Sequence, residues 1–162
     1  MRLIEIQLLI TATVTALMSG FFFAYSISVS LALGKLGDHE FLLVMQHINR
    51  EVQNVFFFIC FFGALIMLPI TAFEHYNQRW FVFVLIAALL YILGVFLVTV
   101  LINVPLNNKL ELFNLSEATE ASARRMRNIF ENKWNFWNNV RTITCLVSVF
   151  FMILACLSNK QD

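Results

Sequence analysis

Charged residues are unevenly spread along the chain, and they leave four long uncharged stretches, at 6–34, 52–73, 80–108 and 142–159. A helix needs about 20 mainly apolar residues to cross the hydrocarbon core of a bilayer, which is about 30 Å thick. Each stretch is near or above that length. The pattern therefore predicts an all-α bundle of four transmembrane helices in a single domain over residues 1–162, with spans at about 6–33, 52–73, 80–104 and 139–158.

Connections of unequal length join the predicted spans, and we expect only the third to hold much further structure. In it, Ser116 is a candidate N-cap, followed first by acidic and then by basic residues, the order that the helix dipole favours. Glu120 with Arg124 and Arg127 with Glu131 have the i,i+4 spacing of stabilising pairs. The sequence thus predicts an amphipathic surface helix in the connection between spans three and four, which runs on into span four.

The composition excludes an ordinary soluble domain. Hydrophobic residues make up 60% of the 162 residues and charged residues 13%, whereas soluble domains have about 45–50% and about 25%. The first apolar stretch is longer than the about 7–15 residues of a signal-peptide core, so we expect a retained first helix. The net charge of +1 leaves no broad basic surface. Nucleic acid is therefore not an expected partner, and the membrane lipid bilayer is.

The lysines and arginines predict an orientation in the membrane. Arg2, Arg79 and Lys160 lie on one side, while the other basic residues lie in the first and third connections or at the mouth of span four. By the positive-inside rule, the two longer connections face the cytoplasm and both termini face outward. In a bacterial cell this would be a multi-pass protein of the cytoplasmic membrane.

Span one carries two stripes of small residues at helical spacing. One stripe consists of Ala12, Ala16, Gly20, Ala24 and Ser28, and the other of Thr11, Thr15, Ser19, Ser26 and Ser30. Small residues let a neighbouring helix approach closely, so we expect both stripes to be helix–helix contact surfaces. The alternative is that the hydroxyl groups line a cavity.

Polar residues gather at one end of the predicted bundle, because consecutive spans run in opposite directions. The candidates there are Tyr25, Gln46, His47, Asn49, Asn103, Asn107, Trp137, Asn138 and Arg141. Gln46, Asn49 and Gln53 share one helical face, and Asn138 and Arg141 share another. An arginine at the membrane margin usually faces a bundle interior or a wet cavity. The two faces therefore predict either a binding pocket or a polar network that only ends the helices.

Other chemistries fit the spacing poorly. His39 and His47 would lie about 12 Å apart along a helix axis, too far to share one metal ion, so no metal site is expected. Cys60, Cys145 and Cys156 fall inside apolar stretches and are expected to be packing residues. Proton or ion transport would require an acid inside a span, and no Asp or Glu lies in one.

Four segments carry a more specific signal. They are GFFFAYS at 20–26, MQHINR at 45–50, NVPLNNKL at 103–110 and WNFWNNVRT at 134–142, of which the last two are the most specific. Together they resemble the anthrone oxygenase-like family of small four-helix membrane proteins. The resemblance covers the whole chain and implies oxidation of an anthrone to an anthraquinone without a bound organic cofactor.

The resemblance also implies roles for the polar end. Asn107, Asn138 and Arg141 would stabilise phenolate or enolate charge on the substrate, and His47 would be the base. Residues that would bind a flat, hydrophobic aromatic substrate are Tyr25, Gln46, Asn49, Asn103 and Trp137. Relatives often have histidine where this chain has Asn139, whose amide cannot accept a proton near neutral pH. The alternative function is a non-enzymatic membrane protein that binds a lipid, a quinone or a partner helix.

Overall fold

The computed structural model describes residues 2–159, which are almost entirely helical. The helices are α1 (Leu3–Leu33), α2 (Asp38–Glu51), α3 (Val55–Glu74), α4 (Phe81–Glu111) and α5 (Glu120–Ser158). Four of them, α1, α3, α4 and α5, are long and apolar enough to cross a membrane. The predicted all-α architecture with four membrane-spanning helices is therefore confirmed.

The long helices form a bundle in which α1 and α4 each pack against α3 and α5. Their outward faces carry large apolar side chains, including Phe73, Leu101 and Ile143. The inward faces hold buried polar residues as well as apolar ones, because polar groups inside a bilayer must find partners within the protein. This arrangement suits a surface in contact with lipid chains.

Two apolar clusters form the core, and they meet at the polar end of the bundle. The larger cluster joins the four long helices and includes Phe22, Phe61 and Tyr91. The smaller one packs α2 against α4 and α5 and includes Tyr25 and Trp134. Side chains of both clusters border the same cavity, which is described below.

The first connection forms a separate helix, so the helical face predicted for Gln46, Asn49 and Gln53 holds for the first two alone, and Gln53 lies in the turn that follows. Helix α2 buries Phe41, Leu42 and Met45 against the end of α4 and the start of α5. The expectation that only the third connection would hold further structure was therefore wrong. A short amphipathic helix gains most of its stability from such tertiary packing. Stretches of apolar residues long enough to span a membrane give no sign of such a helix.

The third connection is shorter than expected, because α4 continues through Pro105 to Glu111. A π-helical segment, Thr99–Asn103, directly precedes this proline and accommodates the local irregularity of the helix. Helix α5 begins at Glu120, with Thr119 rather than Ser116 as its N-cap. The segment expected to form a surface helix is thus the first part of α5, and it is continuous with the fourth span.

The two stripes of small residues on α1 differ in burial. The hydroxyl stripe is helix contact surface, with Thr11 bonded to Thr71 and Ser26 to Thr142, both at 3.0 Å. Most of the other stripe, from Ala16 to Ser28, is exposed, so that expectation was wrong. Larger residues on the inward face of α1 fill the core instead. Helices α4 and α5 approach each other closely at Gly94, where an added Cβ would lie 2.5 Å from Thr144 Cγ2.

A charged cluster fastens the turn between α1 and α2 to α5. Arg127 pairs with Glu131 at 2.6 Å and with Asp38 at 3.1 Å, and it also donates to the Leu36 carbonyl at 2.7 Å. The predicted Arg127–Glu131 pair is therefore confirmed. Arg124 pairs with Asp38 at 3.2 Å instead of with its predicted partner on α5.

Candidate functional site

A cavity of about 250 Å³ lies at the polar end of the bundle. Part of its wall is aromatic, and part carries amide, hydroxyl and guanidinium groups. The aromatic part consists of Phe21, Phe22, Tyr25, Phe57, Phe58, Phe61, Phe62, Phe96 and Trp134. The polar part consists of Asn49, Gln53, Thr99, Asn103, Asn107, Asn108, Asn138 and Arg141. The cavity thus has room for a planar apolar body and groups that can bind its polar edge.

Helical spacing brings the polar groups to one place. Thr99, Asn103 and Asn107 lie at intervals of four residues on α4, and Asn138 and Arg141 lie three apart on α5. All three π-helical segments among residues 2–159 contribute lining residues, namely Tyr25 from Tyr25–Val29, Phe96 from Tyr91–Leu97, and Thr99 and Asn103 from Thr99–Asn103. Such segments often mark functional sites, because the extra residue re-aims side chains along the helix.

Arg141 is the one charged residue of this lining, and it is 5% exposed. Its Nη2 donates to Asn138 Oδ1 at 2.8 Å, and its Nη1 donates to Thr99 Oγ1 at 3.2 Å. The guanidinium carbon lies 4.7 Å from the centre of the Phe22 ring and 5.2 Å from that of Trp134. None of the salt bridges found among residues 2–159 includes Arg141.

The amides around Arg141 are held in place by defined hydrogen bonds. Asn138 Nδ2 donates to Ser26 Oγ at 2.8 Å, which ties α5 to α1. Trp134 Nε1 donates to Asn107 Oδ1 at 2.7 Å, which ties α5 to α4. The Trp134 ring also lies 4.6 Å from that of Tyr25, centre to centre. The polar wall is therefore a network that spans three helices and positions its side chains in advance.

This network leaves hydrogen-bonding capacity unused. Among residues 2–159, five buried side-chain N or O atoms have no hydrogen-bond partner. Three belong to residues that line the cavity, namely Asn49 Nδ2, Asn103 Oδ1 and Arg141 Nε. Buried polar atoms are nearly always paired, and exceptions are commonly associated with function. The unpaired polar atoms are therefore concentrated at the cavity wall.

The aromatic wall is built mainly by α3. The Phe57 and Phe61 rings are stacked with centres 5.4 Å apart, and Phe61 also meets Phe96 of α4 at 6.0 Å. On the α1 side, Phe21 lies 5.5 Å from Phe57. Aromatic pairs in offset or edge-on geometry stabilise each other beyond the area they bury. The same faces and edges suit contact with a further flat ring system.

Comparison with known proteins gives one match. The family model of anthrone oxygenase matches residues 44–151, which is more than half of the chain and runs from α2 to near the end of α5. The chain belongs to the anthrone oxygenase family. Searches among curated proteins and among solved structures found no match.

For this family member, the structure brings together most of the residues that the sequence singled out. Those that line the cavity are Tyr25, Asn49, Asn103, Asn107, Asn138 and Arg141. Gln46, His47 and Trp137 do not line it. Gln46 donates instead to the Leu110 and Phe113 carbonyls at the end of α4, at 2.8 and 3.1 Å. His47 is exposed on the other side of α2, and Trp137 is half-buried beside Phe136.

The position that often holds histidine in relatives also lies away from the cavity. Asn139 is exposed and is not a lining residue, whereas Asn138, its neighbour in sequence, is 1% exposed. In this structure a base at position 139 would therefore not reach a ligand in the cavity directly. Among residues 2–159, no group of three or more His, Cys, Asp or Glu side chains is arranged to hold a metal ion.

The candidates chosen from the sequence left out several lining residues, among them Trp134, Thr99, Asn108 and the phenylalanines of α3. Trp134 shares the helical face of Asn138 and Arg141, so its spacing was a usable signal for choosing it over Trp137. The phenylalanines of α3 had no such signal, because nearly every residue in that stretch is apolar. Periodicity does not identify the inward face of a helix that is apolar all round.

Proposed function

We propose that this member of the anthrone oxygenase family oxygenates a planar, anthrone-like polycyclic aromatic ketone in the cavity, without an organic cofactor. The observation that carries the proposal is Arg141, a buried cation without a carboxylate partner among the described residues, placed at an aromatic cavity. A buried charge is costly unless it is paired. An anionic form of the substrate would supply the missing counter-charge.

The shape and size of the cavity support an aromatic ligand. Its volume of about 250 Å³ exceeds the roughly 150 Å³ cavity that takes up one benzene molecule. It lies just below the about 300 Å³ at which ligand pockets usually begin. A small polycyclic ring system fits this range better than a long lipid chain. The ring faces of Phe57 and Phe61 would contact such a ligand.

Arg141 and the neighbouring amides would act on the charge that develops in the reaction. Removal of a proton from the carbon opposite the ketone of an anthrone places negative charge on the ketone oxygen, as an enolate. Hydrogen-bond donors held in advance stabilise such an oxyanion strongly. Arg141 provides the charge, and Asn138 and Thr99 hold its guanidinium in position.

The described lining contains no Asp, Glu, His or Lys. We therefore assign no base to the protein and omit His47 from the mechanism, since it is exposed and outside the lining. In the proposed mechanism the substrate loses its proton to water, and Arg141 shifts that equilibrium towards the enolate. This makes stabilisation of the anion the main contribution of the protein.

The proposed reaction balances with dioxygen as the oxidant. The enolate carbon reacts with O₂ to form a peroxide anion, which takes up a proton. Loss of water from the hydroperoxide, with the remaining C–H proton, then leaves a carbonyl group. Overall, one CH₂ group and one O₂ give one C=O group and one water. Asn107 Nδ2 would donate to the oxygen atoms that carry charge along this route, while the Asn138 N–H groups remain bonded to Ser26 Oγ and the Phe22 carbonyl.

The experiment compares two adjacent asparagines in purified, full-length protein with anthrone as the substrate. We expect anthraquinone formation, with one ¹⁸O atom entering the new carbonyl group when ¹⁸O₂ is supplied. Asn138→Ala should lower turnover by about 10–100-fold, because it removes the acceptor that holds Arg141 Nη2 in position. Asn139→Ala is the matched control, since Asn139 is exposed, and it should leave turnover unchanged.

The same preparation tests the alternative function. Anthrone that remains unoxidised by folded protein, together with a lipid or quinone identified by mass spectrometry of the purified sample, would overturn the oxygenase proposal. That result would favour a non-enzymatic binding protein. Turnover that is equal in Asn138→Ala and wild type would overturn the assigned role of the amide while leaving the activity in place.

We further infer that the polar end faces the cytoplasm, as the positive-inside rule favours. Support comes from the basic residues around the turn between α1 and α2 and at the start of α5. A reporter active only outside the cytoplasmic membrane, fused to the C-terminus, should be active. A single reporter inserted after Ser116, between α4 and α5, should be inactive, and the reverse pattern would overturn this orientation.

A further inference from the structure

Seven described residues of the cavity wall also reach the outer surface of the bundle, and besides Phe21 of α1 the apolar ones lie on α3 and α4. Phe58 and Phe62 of α3 are 40% and 43% exposed, and Val100 and Val104 of α4 are 44% and 40% exposed. These side chains belong to neighbouring helices and border one seam between them. We refer to the gap between these four residues as the lateral opening. It is apolar and lies on the face of the bundle that suits lipid chains.

The packing of α3 and α4 changes along this seam. Helix α3 packs against the Phe81–Leu90 and Tyr91–Leu97 segments of α4, whereas the next segment, Thr99–Asn103, packs against α5. The Phe61 and Phe96 rings meet across the seam at 6.0 Å. Val100 and Val104 follow about one and two turns further along α4, where the smaller valine side chains replace an aromatic ring.

A second group of exposed lining residues lies at the polar end. Gln53, in the turn between α2 and α3, donates to the Asn49 carbonyl at 2.9 Å, and Asn108 lies near the end of α4. A ligand dissolved in water would enter beside these amides. The cavity therefore has two candidate entrances, an apolar one for a ligand dissolved in lipid and a polar one for a ligand dissolved in water.

We propose that the cavity is filled from the bilayer through the lateral opening, by a neutral aromatic molecule dissolved in the hydrocarbon region. This inference takes the aromatic class of the ligand from the proposed function. The deeper groups, Asn138 at 1% and Arg141 at 5% exposure, are reached only after the ligand has left the lipid. The ligand enters uncharged and ionises next to Arg141, so no charge crosses the apolar rim.

The test measures how fast a ligand enters, and does not depend on turnover. Full-length protein in phosphatidylcholine nanodiscs is mixed with anthrone under nitrogen, and the part of the tryptophan quenching that is lost in Trp134→Phe, among the three tryptophans of the chain, reports arrival at Trp134. Val100→Phe should narrow the lateral opening and slow association by about tenfold. Leu101→Phe is the matched control, because Leu101 is 67% exposed on the same helix and outside the lining.

Two further pairs keep the result independent of any one variant. Phe62→Ala should widen the lateral opening and speed association, while Phe73→Ala, on an exposed position of α3 outside the lining, should leave the rate unchanged. Asn108→Phe narrows the polar entrance and should not slow association, with Lys109→Phe as its control. If Val100→Phe does not fold, the association rates of Phe62→Ala and Asn108→Phe distinguish the two entrances.

The outcomes separate this inference from the proposed function. Slower association in Asn108→Phe with unchanged rates in Val100→Phe and Phe62→Ala would place entry on the aqueous side and overturn the lateral route. Wild-type protein that shows no quenching by anthrone would also overturn it. A further outcome is that the association rates of the variants follow the expected pattern while no anthraquinone forms in oxygenated buffer. That result would support the lateral route and overturn the oxygenase function.

Discussion

Replacing Arg141 with methionine tests whether this arginine has a functional or a structural role. The substitution removes the charge and retains an unbranched side chain of similar length. Two opposite charges 4 Å apart attract each other by about 4 kcal/mol at an effective dielectric constant of 20. That energy corresponds to several hundredfold in an equilibrium constant, and loss of one oxyanion donor costs about 10²–10³ in kcat. We therefore expect Arg141→Met to lower anthrone turnover by about 10²–10³.

The effect on stability should be small. Arg141→Met removes the hydrogen bonds to Asn138 and Thr99, at 2.8 and 3.2 Å, which are worth about 1.5–3 kcal/mol each for a charged donor. It also removes the burial of an unpaired ion, which costs several kcal/mol. The two changes oppose each other, so the Tm of the purified protein should stay nearly constant or rise.

Arg127→Met provides the matched control on the same helix. Arg127 is also largely buried, but it pairs with Asp38 and Glu131. Removing it leaves Glu131 without its cation and Asp38 with Arg124 alone, which should lower the free energy of unfolding by about 2–3 kcal/mol, somewhat less than for a fully buried pair. Turnover per folded molecule should stay unchanged, because Arg127 lies outside the cavity.

Tm from thermal unfolding in detergent and turnover of the folded fraction are measured for both variants. A fall in Tm for Arg141→Met comparable to that of Arg127→Met, with turnover of the folded protein unchanged, would refute the reasoning. Arg141 would then be a structural link between α4 and α5. The assignment of anion stabilisation would have to be withdrawn.

Three other substitutions test the remaining assignments. Gln46→Leu should lower the free energy of unfolding by about 1–3 kcal/mol in chemical denaturation, because two carbonyls at the end of α4 lose their donor. Turnover per folded molecule should not change. His47→Ala should leave turnover and its pH profile unchanged, and a tenfold loss would restore His47 as a candidate base. Trp134→Phe removes the 2.7 Å hydrogen bond from the indole N–H to Asn107 Oδ1. It should weaken anthrone binding, measured by calorimetry, by about 1 kcal/mol. An unchanged affinity would exclude a positioning role for the indole N–H.

The lateral opening gives the exposed phenylalanines of α3 a role beyond contact with lipid. Phe58 and Phe62 are stacked on each other with ring centres 6.0 Å apart. Such a pair presents ring faces and edges both to the bilayer and to the cavity. A flat ligand could therefore exchange contacts with lipid for contacts with aromatic rings gradually as it enters.

The sequence alone determined the number of membrane-spanning helices, because the bilayer sets the length of apolar stretch that each requires. It also determined that polar residues would gather at one end, since antiparallel helices bring alternate ends together. Helical periodicity placed Asn138 and Arg141 on one face, and they share the cavity. These features depend on the solvent and on local geometry, which can be read along the chain.

Tertiary structure decided which of the polar residues meet. Gln46, His47 and Asn49 lie within four positions on α2, yet only Asn49 lines the cavity. Helix α2 itself exists because its apolar face packs on α4 and α5, and that packing fixes its rotation. That no carboxylate among residues 2–159 pairs with Arg141 likewise depends on which helices are neighbours. Long-range packing sets these contacts, and no pattern within a single segment contains them.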